Sequence, residues 1–121
     1  MKKLLYISHP YGAKKENLIN ISNIVSKLYS DDDIYKKYCI VSPVHAFGFM
    51  YEEYDKVPNG YEKGLTFCTD LLEHCDLMLV FGDYSSSKGC KAEIELCDKL
   101  GIKYIKTPYL DDDTIKWLKE F

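Results

Sequence analysis

The sequence predicts an α/β fold in which a parallel sheet of four short strands is sandwiched between helices. Three observations carry this. Four apolar runs of strand length (Leu4 to Ile7, Cys39 to Val41, Leu77 to Phe81 and Ile102 to Ile105) are separated by segments whose apolar residues recur at helical spacing. Turn formers such as Ser8-His9-Pro10-Tyr11-Gly12 and Gly82-Asp83 follow the runs. Strands alternating with helices pair in parallel through right-handed crossovers, so the economical architecture is a three-layer, flavodoxin-like sandwich with strand order 2-1-3-4.

The first run suits a buried strand meeting a loop. Leu18, Ile21, Ile24, Val25 and Leu28 then form one apolar stripe on a helix from about Lys14 to Tyr29. The acidic run Asp31 to Asp33 breaks that pattern and reads as a solvated turn. Cys39 to Val41 is a second strand, ended by Ser42-Pro43, because the residue before proline is pushed away from the helical region; a loop is expected from Ser42. The aromatic stretch between His45 and Gly60, with Phe47, Phe49, Tyr51 and Tyr54, is irregular and long enough for a binding loop or lid.

Leu65, Cys68, Leu71, Leu72 and Cys75 return to helical spacing and lead through Asp76, read as structural, into the third strand. Gly82 to Gly89 is a loop. Ala92, Leu96 and Leu100 mark the helix that follows, with Gly101 as its C-terminal cap, and Ile102 to Ile105 is the fourth strand. Asp111 can cap a last helix from Asp112 to Phe121, with Ile115 and Leu118 facing inward and Trp117 at the edge.

A chain of 121 residues with 46% apolar content has the length of a single domain, here residues 1–121. The net charge of -3 offers no general attraction for nucleic acid or anionic lipid, so neither is expected as a partner. No apolar run approaches the roughly 20 residues that span a bilayer, and Met-Lys-Lys-Leu-Leu lacks a signal-peptide core, so a cytoplasmic location is expected. Five cysteines without CxxC spacing indicate neither a disulfide framework nor a zinc site. They read as reduced, mostly core thiols, with Cys90 as a thiolate at a helix start the functional alternative.

In open parallel sheets, ligands bind beyond the carboxyl ends of the strands where strand order reverses, here between the first and third. Two loops are singled out, Ser8 to Ala13 and Gly82 to Gly89. The second, with three serines, a lysine and a glycine before a helix whose first amides are unpaired, reads either as an anion cradle or as a polar turn with Ser87 as a plain cap. Glu93 lies one turn after Gly89 and reads as a nucleophile or as a first-turn stabilising acid; Glu95 lies about 200° around the helix, so only one of the two faces the site. His9 and His45 follow the first and second strands and could bind phosphate or protonate a leaving base, or serve as ordinary loop histidines. Tyr6 and Tyr11 could stack on a base or orient Glu93, against a default role in packing.

Tyr6-Ile7-Ser8-His9-Pro10-Tyr11-Gly12, Cys75-Asp76 before an apolar strand, and Ser87-Lys88-Gly89-Cys90-Lys91-Ala92-Glu93 opening a helix resemble the nucleoside 2-deoxyribosyltransferase-like superfamily. The resemblance is greatest to small members from phages and mobile elements, in which the Ser42 to Gly48 segment also recurs. It implies that Glu93 is a nucleophile attacking the anomeric carbon and displacing the base, leaving a glycosyl ester. Base-transferring members usually carry aspartate where Ser87 stands, so Ser87 and Gly89 direct the reading to nucleoside 5'-monophosphates. Ser8, His9, Pro10, Tyr11 and Gly12 would then hold phosphate and sugar, Tyr6 would orient Glu93, and Tyr11, His45 and Phe47 would line the base pocket.

One departure is chemical. The helper carboxylate of active members falls at Cys68, with Asp70 on another helical face. Either Asp70 or Asp83 substitutes, or the chain is a non-catalytic binder or sponge of a nucleotide or nucleotide-derived signal; a deoxyribosyltransferase is the third reading. The resemblance implies no metal and no organic cofactor, and it implies a homodimer or larger homo-oligomer.

Overall fold

The computed structural model describes residues 1–48 and 57–121. Its elements are β1 (Lys3–Ser8), α1 (Lys15–Tyr29), α2 (Asp32–Lys37), β2 (Tyr38–Val41), α3 (Pro43–Phe47), α4 (Gly60–Leu72), β3 (Leu77–Val80), a 3-10 turn (Tyr84–Ser86), α5 (Lys88–Leu100), β4 (Lys103–Lys106) and α6 (Asp112–Glu120). The four strands form one parallel sheet in the order β2-β1-β3-β4, the flavodoxin-like arrangement. β1 is central, with Leu5 opposite Ile40 on one side and Leu77 on the other.

Side chains alternate across a strand, and each face of this sheet has its own core. On one face Leu5, Ile7, Leu77 and Leu79 pack with Ile21 and Leu28 of α1, Ile34 of α2 and Leu118 of α6. On the other, Tyr6, Met78 and Val80 pack with Cys68 and Leu72 of α4 and with Cys90 and Cys97 of α5. Because helices cover both faces, every residue of β3 is buried, and that is why its sequence is an unbroken apolar run. Asp76 ties the start of β3 to β1, its carboxylate accepting the Leu4 amide at 2.7 Å.

Two local expectations are corrected. Asp31 to Asp33 do not form a mere turn: the Asp31 carboxylate accepts the amides of Asp33 and Ile34 at 3.0 and 3.2 Å and so starts α2, with Asp32 and Asp33 in its first turn. An acidic run at a helix start satisfies unpaired amides and complements the helix dipole, while buried Ile34 anchors the segment to the core. Nor does Ser42 open a loop. Proline ends β2 as read, but its fixed φ also suits the first position of a helix, and Pro43 begins α3.

The remaining caps follow the sequence reading. Gly101 closes α5 at φ 74°, a left-handed conformation that favours glycine, and the Asp111 carboxylate accepts the Thr114 amide at 2.8 Å to open α6. Cys39 is exposed and the other four cysteines are buried thiols. Phe49, Tyr51 and Tyr54 lie outside the described residues. Among the described residues, no helix is long and apolar enough to cross a membrane.

Candidate functional site

The carboxyl ends of β1 and β3 open onto a cavity of about 390 Å³. Its walls come from four places: the loop after β1 (His9, Pro10, Tyr11, Gly12), the start of α3 (Pro43, Val44), one face of α4 (Tyr61, Leu65, Cys68), and the start of α5 from Ser86 to Glu93. The sheet dictates this location. β2 lies on one side of β1 and β3 on the other, so the connections leaving their ends diverge and leave a crevice.

Glu93 forms the cavity's polar floor. α5 packs on the Tyr6 face of the sheet, which turns Glu93 toward β1, where the buried Ser8 hydroxyl donates to its Oε1 at 3.3 Å. Among the described residues the other oxygen, Oε2, is buried without a hydrogen-bond partner. Burial penalises the ionised form and pushes the Glu93 carboxyl up to about 7, against the opposing influence of the Tyr6 and Ser8 hydroxyls. A carboxyl of this kind exchanges its proton near neutrality.

Beside it, the Tyr6 hydroxyl lies within electrostatic reach of Glu93 and Cys68 but, among the described residues, makes no hydrogen bond of good geometry. Burial first, and the Glu93 charge second, hold Tyr6 far above the usual phenol range, so it keeps its proton. Cys90 lies 3.3 Å from the Ser8 hydroxyl and is 1% exposed. Burial raises its thiol against the opposing influence of the Ser8 and Ser87 hydroxyls, which runs against the alternative reading of Cys90 as a helix-start thiolate.

The α5 start supplies the opposite electrostatic character. Ser87 caps the helix, its oxygen accepting the Cys90 amide at 3.2 Å, while its own O–H can still donate outward. The first amides of α5 have no partner within the helix and carry its positive pole. Gly89 keeps this end open: a Cβ there would lie 3.5 Å from Leu65 Cδ2 and 4.0 Å from both Glu93 Oε1 and Ser87 Oγ. Lys88 extends over the Tyr61 ring, 6.0 Å from its centroid, at the start of α4.

Of the residues singled out in the sequence, Glu93, Tyr6, Ser8, His9, Pro10, Tyr11, Gly12, Ser87 and Gly89 come together here. Four do not. Pro43 and Val44 take the cavity side of α3, leaving His45 to bridge the Ser42 hydroxyl at 2.7 Å and the Ser22 hydroxyl of α1 at 3.0 Å. Phe47 packs with the core of the Tyr6 face, its ring 5.5 Å from that of Phe67. Asp70 is exposed on α4, about 200° around the helix from Cys68. Asp83 is exposed and accepts from the Ser85 and Ser86 hydroxyls at 2.9 Å each, which stabilises the 3-10 turn.

The sequence reading missed Lys14, Pro43, Val44 and Tyr61 and treated Leu65 as core. Leu65 and Cys68 share the apolar stripe of α4, and spacing alone does not separate a stripe that overhangs a cavity from one that is fully packed. Among the described residues, no group of three or more His, Cys, Asp or Glu side chains is gathered so as to hold a metal ion.

In architecture the chain is thus an α/β domain with a four-stranded parallel sheet and a crevice at its switch point. Residues 3–107 match the family described as a domain of unknown function, DUF7768, and the chain belongs to that family. No curated protein matches it.

Proposed function

We propose that this chain cleaves the N-glycosidic bond of a deoxynucleoside or nucleoside 5'-monophosphate, with Glu93 as the nucleophile. The observation that carries the reading is the buried Glu93 carboxyl, lining a cavity of ligand size, whose Oε2 has no hydrogen-bond partner among the described residues. A desolvated carboxylate is costly to hold in a folded protein and becomes useful when a developing positive charge is placed against it. The anomeric carbon of a sugar losing its base develops such a charge. The resemblance of the Tyr6 to Gly12 and Ser87 to Glu93 segments to nucleoside 2-deoxyribosyltransferase-like proteins points the same way.

On this reading the α5 start, with the Ser87 hydroxyl and the Gly89 amide, receives the phosphate, because a helix N-terminus favours an anion. The sugar lies over Glu93, and Tyr6 and Ser8 orient the carboxyl from below. The base extends toward Tyr11, Pro43, Val44 and Tyr61.

A second reading, a non-catalytic nucleotide binder, is favoured by Cys68 in the place of a helper carboxylate and by the exposure of Asp70. One experiment separates them: a chromatographic panel of deoxynucleoside and ribonucleoside monophosphates and free nucleosides, incubated with wild type and with Glu93→Gln. Free base from wild type alone supports the glycosidase. Tight retention by both proteins without release selects the binder, and a base-exchange product on adding a second base identifies transfer.

A further inference from the structure

Breaking the bond between a sugar and a nucleobase requires an electron pair at the anomeric carbon and a proton on the departing base. Glu93 can supply only the first. Among the described residues it is the one carboxylate lining the cavity, and the neighbouring Cys90 thiol and Tyr6 hydroxyl are both buried into weaker acids. Resting on the glycosidase reading, we propose that His9 is the acid and base of this site: it protonates the leaving base through Nε2, then takes a proton from the water that hydrolyses the glycosyl ester.

His9 lines the same cavity as Glu93 and directly follows Ser8, whose hydroxyl touches that carboxyl. Both groups therefore sit at the end of β1. Its Nδ1 lies 2.7 Å from the Pro10 carbonyl oxygen. A carbonyl can only accept, so Nδ1 is the donor in this contact and Nε2 is the ring nitrogen left for a substrate. Gly82 lies beside this edge of the ring, with Pro10 Cδ its nearest neighbour. At its φ of 70° it presents no side chain, and a Cβ there would come within 3.5 Å of both Cε1 and Nε2.

The two steps balance. In the first, a lone pair of Glu93 forms the bond to the anomeric carbon, the electrons of the C–N bond pass to the base, and the Nε2 proton joins them. In the second, water bonds to the anomeric carbon, the ester C–O pair returns to Glu93, and the proton released from water restores Nε2. The sum is substrate plus water giving free base and the sugar phosphate, with no other reactant.

The test compares the best-cleaved monophosphate of the panel above with 7-methyl-2'-deoxyguanosine 5'-monophosphate, whose cationic base departs neutral without an added proton. With enzyme in excess, so that only the first release of base is read, we expect His9→Gln to slow the ordinary substrate by at least ~100-fold while changing the methylated one by less than ~3-fold, and Glu93→Gln to slow both. In steady state His9→Gln should slow both substrates, because the ester hydrolysis they share also uses His9. As a second measure, added imidazole should restore His9→Gly on the ordinary substrate and should not restore Glu93→Gln. Equal slowing of that first base release from both substrates by His9→Gln, or no slowing, with no rescue by imidazole, overturns the assignment while leaving the Glu93 reading intact. A wild-type protein that releases no base from any nucleotide overturns the glycosidase reading itself, before any His9 variant is made.

Discussion

The Ser8 hydroxyl stands 3.3 Å from Glu93 Oε1 and 3.3 Å from Cys90 Sγ, linking the last residue of β1 to the inner face of α5. One hydroxyl proton cannot serve both neighbours. When it turns to Glu93 it favours the carboxylate, and it holds the carboxyl in place.

Ser8→Ala should therefore raise the Glu93 pKa, because it removes a donor that favours the ionised form. A rise of one unit from about 7 would lower the ionised fraction at pH 7 about fivefold. The acidic limb of the pH-rate profile should move to higher pH by a similar amount. An unbonded buried oxygen should also reduce stability by about 1–3 kcal/mol, measured by urea denaturation. An unmoved acidic limb would show that Ser8 does not act on the carboxyl.

Glu93 itself should make the fold less stable as pH rises. Its folded-state pKa of about 7 exceeds the ordinary 4.5, so between these values the native chain retains a proton that the unfolded chain has released. Stability contributed by the protonated carboxyl is complete below pH 4.5, falls through the interval and is lost above about pH 7. The upper bound is ~3 kcal/mol. Other carboxylates, such as Asp31 and Asp111, are held low by hydrogen bonds and act in the opposite sense at lower pH, so the informative quantity is a difference. Denaturation of wild type and Glu93→Gln at pH 5, 6, 7 and 8 should give curves that diverge as pH rises, with Gln the more stable at pH 8.

Much of this site was legible because its parts follow from chain order. Apolar runs ending in turn formers located the ends of β1 and β3, and a helix starting at Ser87 put Glu93 on the turn facing them. What was not legible depended on rotation and on contacts distant in sequence. Pro43 was correctly read as a strand breaker, but its second property, a φ suited to a helix start, turns His45 away from the crevice toward Ser22. The Asp31 run could cap or simply be solvated, and the burial of Ile34 decides between them. Tyr61 enters the cavity wall only because α4 crosses beside α5, a relationship between elements that no local pattern encodes.

Gly89→Ala should separate fold from ligand. The nearest atoms to the added Cβ would be at 3.5 Å or beyond, an ordinary contact distance, and alanine is the better helix former. Stability should therefore hold or rise by up to ~1 kcal/mol. The methyl group would nevertheless occupy the space between Leu65, Ser87 and Glu93, where the phosphate and sugar are proposed to lie. We expect retention of a nucleoside monophosphate to weaken at least tenfold by calorimetry, with an unchanged or higher midpoint of unfolding. Unchanged affinity would remove the α5 start from the site.

Tyr6→Phe gives the complementary dissection. The hydroxyl is buried without a hydrogen bond of good geometry, so deleting it removes an unsatisfied polar atom and should cost less than ~1 kcal/mol or slightly stabilise the fold. Its electrostatic effect is separate. The Tyr6 hydroxyl favours the ionised form of Glu93, so its loss should raise that pKa and shift the acidic limb of the base-release profile to higher pH. Ser8→Ala and Tyr6→Phe should thus agree in the direction of the pH shift and differ in stability, with only the first losing a made hydrogen bond. Paired urea titrations and pH-rate profiles measure both quantities. If Tyr6→Phe lost stability as Ser8→Ala does while the profile stayed in place, the phenol would be a packing group and the orientation of Glu93 would rest on Ser8 alone.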